Sequence, residues 1–224
     1  MHRMPVNVIM LAEAAAVARS TGLTDELVGH GVLMCILLFV EIRRERQVDA
    51  EWFDVRKVRR TSDRFVRAEP DVAELKTLAA AQLQPRTAEA LVITQGSIGR
   101  EGKGRTTTLG RGGSDHTAAL LGEALQATRV DIWTDVAGIY TTDPRVVPQA
   151  KRIEEITFEE AAEMAIFGAK VLHPATLLPA VRSDIPVFVG SSKDPAAGGT
   201  RVCNETKNPP LFRALALRRK QTLL

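Results

Sequence analysis

The sequence of 224 residues predicts an α/β protein with a mostly parallel sheet, on three observations. Segments with helical apolar periodicity alternate with short strands that are apolar on both faces, "ALVITQG", "RVDIWTDV" and "IPVFVGSS", as expected where helices cover a sheet. Aromatic residues are 4% of the chain against 45% hydrophobic, so Ala, Leu, Val and Ile must build the core. That suits helices on a sheet and argues against an aromatic-rich sandwich or a base-stacking RNA module. Three strands end in small polar residues, at Gly96, at Thr134–Asp135 and at Gly190–Ser191–Ser192. Ligands in this fold class lie beyond the carboxyl ends of strands.

Taken in order, residues 6–19 and about 24–46 read as helices, with "TDEL" at 24–27 as an N-cap followed by acidic residues. The run "VLMCILLFVEI" is too short to span a bilayer and reads as a buried helix. "EWFDV" is a short strand, and "DVAELKTLAAAQL" a helix stopped near Pro85. "ALVITQG" is a buried strand; a glycine-rich loop follows, then the helix "SDHTAALLGEALQAT". "RVDIWTDV" is a strand and "AGIYTTDPRVVP" a long polar loop. "TFEEAAEMAIFGA" is a helix with Thr157 as its N-cap, and "HPATLLPAVRS" a helix interrupted by prolines. "IPVFVGSS" and "GTRVC" are strands.

Net charge is +3, with much of the excess in Arg43, Arg44, Arg46, Arg56, Lys57, Arg59, Arg60, Arg64 and Arg67. This cluster reads as a solvated helix face and its following loop. A nucleic-acid partner would want aromatics interleaved with the basic residues, and only Trp52, Phe53 and Phe65 are near. Cys35 and Cys203 lack metal-type spacing and read as reduced thiols, and the four histidines form no zinc pattern. The start "MHRMPVNVIMLAEAAAVARS" imitates a secretory signal, but Glu13 interrupts its apolar stretch. The expectation is a cytoplasmic protein with neither membrane nor nucleic acid as a partner.

Three stretches carry candidate chemistry. "GRTTTLGRGGSDHTAALL", residues 104–121, is neither a Walker A loop nor a GxGxxG fingerprint. Its physics is still that of anion recognition. Gly110, Gly112 and Gly113 allow close backbone approach. Ser114 and Asp115 stand at a helix start, where free N–H groups favour an anion, and Arg111 can clamp a carboxylate or phosphate. The alternative is a flexible surface loop before a capped helix, and binding is preferred. "WTDVAGIYTTDPRVV" brings Thr134, Asp135, Tyr140 and Arg145 together, a set suited to a base, a ribose and a phosphate, or equally a surface turn. In "FGAKVLHPAT", Lys170 either points a compact charge into the same cleft or complements a helix C-terminus, while His173 reads as structural.

Together with "VITQG", "RIEEITFEEAAEMAIFGAKVLHPATLLPAVRSDIPVFVGSSKDP" and "NPPLFRALALRRKQTLL", these stretches resemble the aspartate kinases of the amino-acid kinase family, the lysine-sensitive type above all. The similarity is nearly continuous from residue 91 and extends to residues 23–70; the first twenty residues and residues 71–90 match more loosely. The resemblance implies an amino-acid-kinase-like parallel sheet sandwiched between helices in three layers. It implies transfer of the γ-phosphoryl group of ATP, with Mg2+ held mainly through the ATP phosphates, to the side-chain carboxylate of L-aspartate. The product would be 4-phospho-L-aspartate, for lysine, threonine and methionine synthesis. On the family pattern Arg111 grips aspartate, and Gly112, Gly113 and Ser114 line the substrate and phosphate site. Asp115 organises the catalytic lysines, and Thr134, Asp135, Tyr140, Arg145 and Lys170 surround ATP, Lys170 being catalytic as well. A carboxylate nucleophile is already ionised at neutral pH, so such a site works by positioning and cationic stabilisation.

The sequence departs from the family in four places. The family's Lys-Phe-Gly-Gly-Thr-Ser strand and turn has no counterpart in residues 1–224, so the kinase domain is expected to be N-terminally incomplete. Val32 in "GHGVLM" replaces a glutamate that would meet the ammonium of aspartate, and Ser97 replaces an aromatic after "TQG". The regulatory ACT domains are expected to be absent, with residues 205–224 as the linker toward them. Residues 1–204 are expected to form the truncated kinase domain, 1–90 a partial N-terminal lobe and 91–204 the substrate loop and ATP lobe. The alternative function is a catalytically impaired ATP-binding fragment. A homo-oligomer or a complementing aspartokinase chain is the expected protein partner.

Overall fold

The computed structural model describes residues 4–166, 174–207, 210 and 212–215. The chain divides into two compact units, the first running to Thr117 and the second starting at Ala118.

The first unit opens with two helices, α1 (Met4–Ala18) and α2 (Thr21–Glu45). The expected cap at Thr24 is displaced: α2 begins after Ser20, and Asp25 turns inward within the first two turns. Its carboxylate accepts from Val66 N, Thr108 N and Thr108 Oγ1 at 2.7–2.8 Å. Nor is α2 wholly buried as its apolar run suggested. Leu33 and Val40 pack inward, while Val28, Met34, Leu38, Phe39 and Ile42 remain exposed. Its 25 residues are long and apolar enough to cross a bilayer by length and composition; here one face packs on strands of this unit.

Strands β1 (Ala50–Phe53) and β2 (Leu91–Thr94) pair in parallel. Between them runs α3 (Val72–Gln82), capped by Asp71 Oδ1 on Glu74 N at 2.9 Å. Pro85 does not simply end that helix. It occupies the first turn of a short second one, α4 (Gln84–Glu89), where its missing N–H costs nothing. The three threonines of the expected loop form a strand, β4 (Thr106–Thr108), antiparallel to β3 (Ile98–Arg100). The intervening turn is tied by Glu101, which accepts from Lys103 N, Arg105 N and Arg105 Nε.

The basic cluster is not uniformly solvated. Residues 59–61 run extended beside β3, with Arg100 N donating to Arg59 O and Thr61 N donating to Arg100 O. Extended chain alternates its side chains, so Arg60 is partly exposed while Arg59 and Thr61 face the interior. Arg59 is fully buried.

Helix α5 (Gly113–Ala124) begins in the first unit. The second unit holds a four-stranded sheet of β5 (Val130–Thr134), β6 (Glu155–Thr157), β7 (Val187–Ser191) and β8 (Gly199–Cys203), ordered β5-β7-β8-β6. The β5–β7 and β6–β8 pairs are parallel; β7–β8 is antiparallel. The sheet is therefore mixed. Val130, Ile132, Val187, Val189, Ile156 and Val202 face a core shared with α6 (Phe158–Ile166) and α7 (Pro174–Ser183). Helix α6 is capped as its sequence dictates. Thr157 Oγ1 accepts from Glu160 N at 3.2 Å while Glu160 Oε2 accepts from Thr157 N at 2.9 Å, a reciprocal capping box. On the other face Trp133 and Phe188 meet edge to face at 5.7 Å.

Candidate phosphoryl-transfer site

In the first unit, two tight turns meet at the head of α5. One follows β2 through Gln95, Gly96 and Ser97; the other is the glycine loop from Gly110 to Ser114. Gly110 and Gly112 hold φ of +79° and +72°, a backbone open to glycine without penalty. The turns are so close that a Cβ on Gly96 would stand 2.7 Å from Ser114 Oγ, and one on Gly113 2.9 Å from Ser97 Oγ. Ser97 Oγ and Ser114 Oγ share a hydrogen bond at 2.9 Å. Ser97 itself adopts φ +62°, a left-handed conformation that non-glycine residues reach only when held there. The holding group is Thr117: its hydroxyl accepts from Ser97 N at 3.0 Å and donates to Gly113 O at 2.6 Å.

Around this junction Arg111 is exposed and Asp115 is half-buried. Desolvation alone raises the pKa of the Asp115 carboxyl above its ordinary value. The loop is braced from behind by Asp25, whose Oδ2 binds both Thr108 N and Val66 N at 2.8 Å. Val66 sits at φ +71° with its carbonyl against Gly110.

In the second unit the ends of β5 and β7 are joined. Ser192 donates to Thr134 O through its N–H at 2.8 Å and its hydroxyl at 2.9 Å. Thr134 Oγ1 donates to Asp135 Oδ1 at 3.1 Å, and Asp135 is exposed. The following polar loop is anchored by a bridge between Tyr140 and Arg152, and by Ile139 N and Thr200 Oγ1 at 2.8 Å. Arg145 is exposed and engaged within its own turn, its N, Nε and Nη2 all donating to the Asp143 carboxylate at 2.9–3.0 Å. That pairing raises the guanidinium pKa. Lys170 and His173 lie outside the described residues.

Among the expected residues, Gly112, Gly113, Ser114 and Asp115 cluster in the first unit, with Ser97 and Thr117 as partners. Thr134, Asp135, Tyr140 and Arg145 lie on the end of β5 and its loop in the second. Sequence reasoning missed Thr117, Asp25 and Arg59. The bond of Thr117 to Ser97 N and the Asp25 contacts reach partners 20 or more positions away, and no local pattern encodes them.

The chain belongs to the amino acid kinase family, whose pattern matches residues 3–191. It is 78% identical to lysine-sensitive aspartokinase 3 of Escherichia coli over 223 residues, 100% of this chain and 50% of that protein. It is 44% identical to an aspartokinase of Chlamydia pneumoniae over 177 residues, 78% of this chain and 40% of that one. The structure of E. coli aspartokinase III in complex with aspartate and ADP superposes with a TM-score of 0.92 at 77% identity, covering 97% of this chain and 48% of that one. The chain thus spans about half the length of the curated relatives it matches.

Proposed function

We propose that this chain carries the catalytic region of an aspartate kinase, which moves the γ-phosphoryl group of ATP to the side-chain carboxylate of L-aspartate. The observation that carries the reading is 78% identity along the whole chain to an aspartokinase. The loop geometry supports it. Arg111, exposed at the loop tip, takes the substrate carboxylate. The backbone of Gly112 and Gly113 and the hydroxyl of Ser114 approach the transferring group at the α5 N-terminus, where unpaired N–H groups and the helix dipole stabilise negative charge. Asp115, held half-buried, orders the cations around that group. Thr134, Asp135 and Tyr140 receive the nucleoside, and Arg145 a phosphate, which must displace Asp143 from it. Lys170 takes its ATP-side role from the family pattern alone.

Magnesium would arrive on the ATP phosphates and neutralise part of their charge. The half-buried Asp115 carboxylate fits as its neighbour. The aspartate carboxylate attacks as it is, so the protein's work is alignment and electrostatic stabilisation rather than proton removal. A cytoplasmic setting, and a homo-oligomer or a complementing aspartokinase chain as protein partner, belong to the same proposal. So does the division into a kinase domain over residues 1–204 and a linker over 205–224.

The test is ATP-dependent aspartyl hydroxamate formation in the presence of hydroxylamine. Activity that needs both substrates and falls at least about a hundredfold in Arg111→Ala is expected. Saturable binding of a fluorescent ATP analogue without any hydroxamate would instead establish an impaired nucleotide-binding fragment.

A further inference from the structure

Arg59 is a fully buried cation that makes no ion pair among the described residues. Its Nη1 donates to Ile98 O and to Thr117 Oγ1, both at 2.8 Å. Its Nε and Nη2 have no hydrogen-bond partner among the described residues. Burial alone lowers its pKa to about 9, so it is charged at neutral pH. A buried ion without counter-charge is costly to a fold, and the two hydrogen bonds of Nη1 bring no negative charge to offset it.

Among the described residues, its side-chain hydrogen-bond partner is Thr117. Thr117 Oγ1 accepts from Arg59 Nη1 and from Ser97 N, and donates to Gly113 O. A hydroxyl has one donor and two acceptor sites, and all three are used. Arg59 is therefore the third partner of the group that fixes both turns at the head of α5. Its stem also lies beneath β3, with Cδ 3.4 Å from the position of a Cβ on Gly99. This guanidinium is two hydrogen bonds from the backbone of the first residue of α5, through protein rather than water.

We propose that Arg59 is a positioning residue of the anion-binding loop, and that the anion the loop takes supplies the counter-charge which the protein does not. The inference rests on the phosphoryl-transfer reading of that loop. The ligand class is a carboxylate or phosphate anion. A unit charge at roughly 10 Å across an effective dielectric of about 20 alters anion affinity by roughly tenfold. The same charge destabilises the unliganded fold. Neutralising Arg59 therefore has opposite effects on the two states, which a purely structural arginine would not show.

The experiment measures the unfolding midpoint of the full chain against sodium pyrophosphate at matched ionic strength, which yields an apparent Kd. Wild type is compared with Arg59→Met, Arg59→Gln, Arg59→Lys and Arg111→Ala. Both neutral Arg59 variants are expected to melt higher than wild type without pyrophosphate and to bind it about tenfold more weakly. Arg59→Lys keeps the charge and stays within about threefold of wild type. If the neutral variants bind as wild type does while Arg111→Ala does not, the role of Arg59 is refuted and the loop reading stands. If pyrophosphate leaves wild type unshifted, the loop reading falls and this inference with it. Loss of folding in both neutral variants also overturns it, because removing an uncompensated charge should stabilise the empty protein.

Discussion

Asp25 offers the sharpest test of how the glycine loop is braced. It is 1% exposed on α2, and its carboxylate takes three donors: Val66 N and Thr108 N on Oδ2, and Thr108 Oγ1 on Oδ1. Asp25→Ala strips acceptors from two backbone N–H groups and leaves a small void. Each orphaned buried donor costs about 1–3 kcal/mol, and hydrogen bonds to a carboxylate lie at the upper end. The hydroxyl of Thr108 can rotate to another acceptor, so the two N–H groups dominate and the loss should be about 4 kcal/mol. That is a large part of the stability of a typical domain. Asp25→Asn behaves differently. With its carbonyl oxygen toward the two N–H groups, its amide can donate to Thr108 Oγ1, and all three contacts survive. Only the charge assistance is lost, at about 1–2 kcal/mol. Urea unfolding of wild type and both variants, with hydrogen exchange at the amides of Val66 and Thr108, measures the difference. An alanine variant within 1 kcal/mol of wild type, or an asparagine variant as damaged as alanine, would refute the reasoning.

Other perturbations follow from single features. Val66→Gly removes a β-branched side chain from φ +71° and should stabilise by about 1 kcal/mol; a lowered unfolding midpoint would contradict the strain argument. Thr157→Ala breaks the capping box of α6 and should cost about 1 kcal/mol in urea unfolding; an unchanged midpoint would show that the cap is idle. Lys103 N and Arg105 N hold the Glu101 carboxyl down to about 2 against an ordinary 4.5. A depressed carboxyl stabilises the fold above its unfolded pKa and loses that contribution as pH falls toward its folded one. Stability should therefore decline from about pH 4.5 to about pH 2, and Glu101→Gln should flatten that stretch of the profile. A variant profile parallel to wild type there would count against the assignment.

What the sequence disclosed divides along the range of the interactions involved. Thr157 was legible as a cap because its partner, Glu160, is three residues away. The strands at 91–94, 130–134 and 187–191 were legible because each is short and rich in β-branched and aromatic residues, although the first is only partly buried rather than buried as expected. The strand at 106–108 was not, since three consecutive threonines between glycines and arginines carry no period; only pairing with 98–100 makes them a strand. Arg59 was misread as solvated because a run of basic residues looks like a surface, whereas the bridge to Arg100 imposes alternation. Asp25 looked like an acidic residue in the first turn of a helix capped by Thr24. Its true donors lie 41 and 83 positions away. The glycine loop announced its chemistry through residue types, but the groups that hold it in shape, Thr117 and Ser97, are ordinary in sequence and informative only through their bonds.

The reversal of direction between β7 and β8 has a further consequence. Because β5 and β7 run one way and β8 and β6 the other, the chain leaves β5 and enters β6 at the same rim of the sheet. The segment from 135 to 154 never has to cross the sheet, whereas a connection between parallel neighbours needs a dozen or more residues merely to return. Its length is thus free of the ladder. Between its anchors at Ile139–Tyr140 and Arg152–Ile153, residues 144–149 are exposed, and insertions there need shift no strand register, so this excursion is where related chains can diversify what they hold while keeping one scaffold.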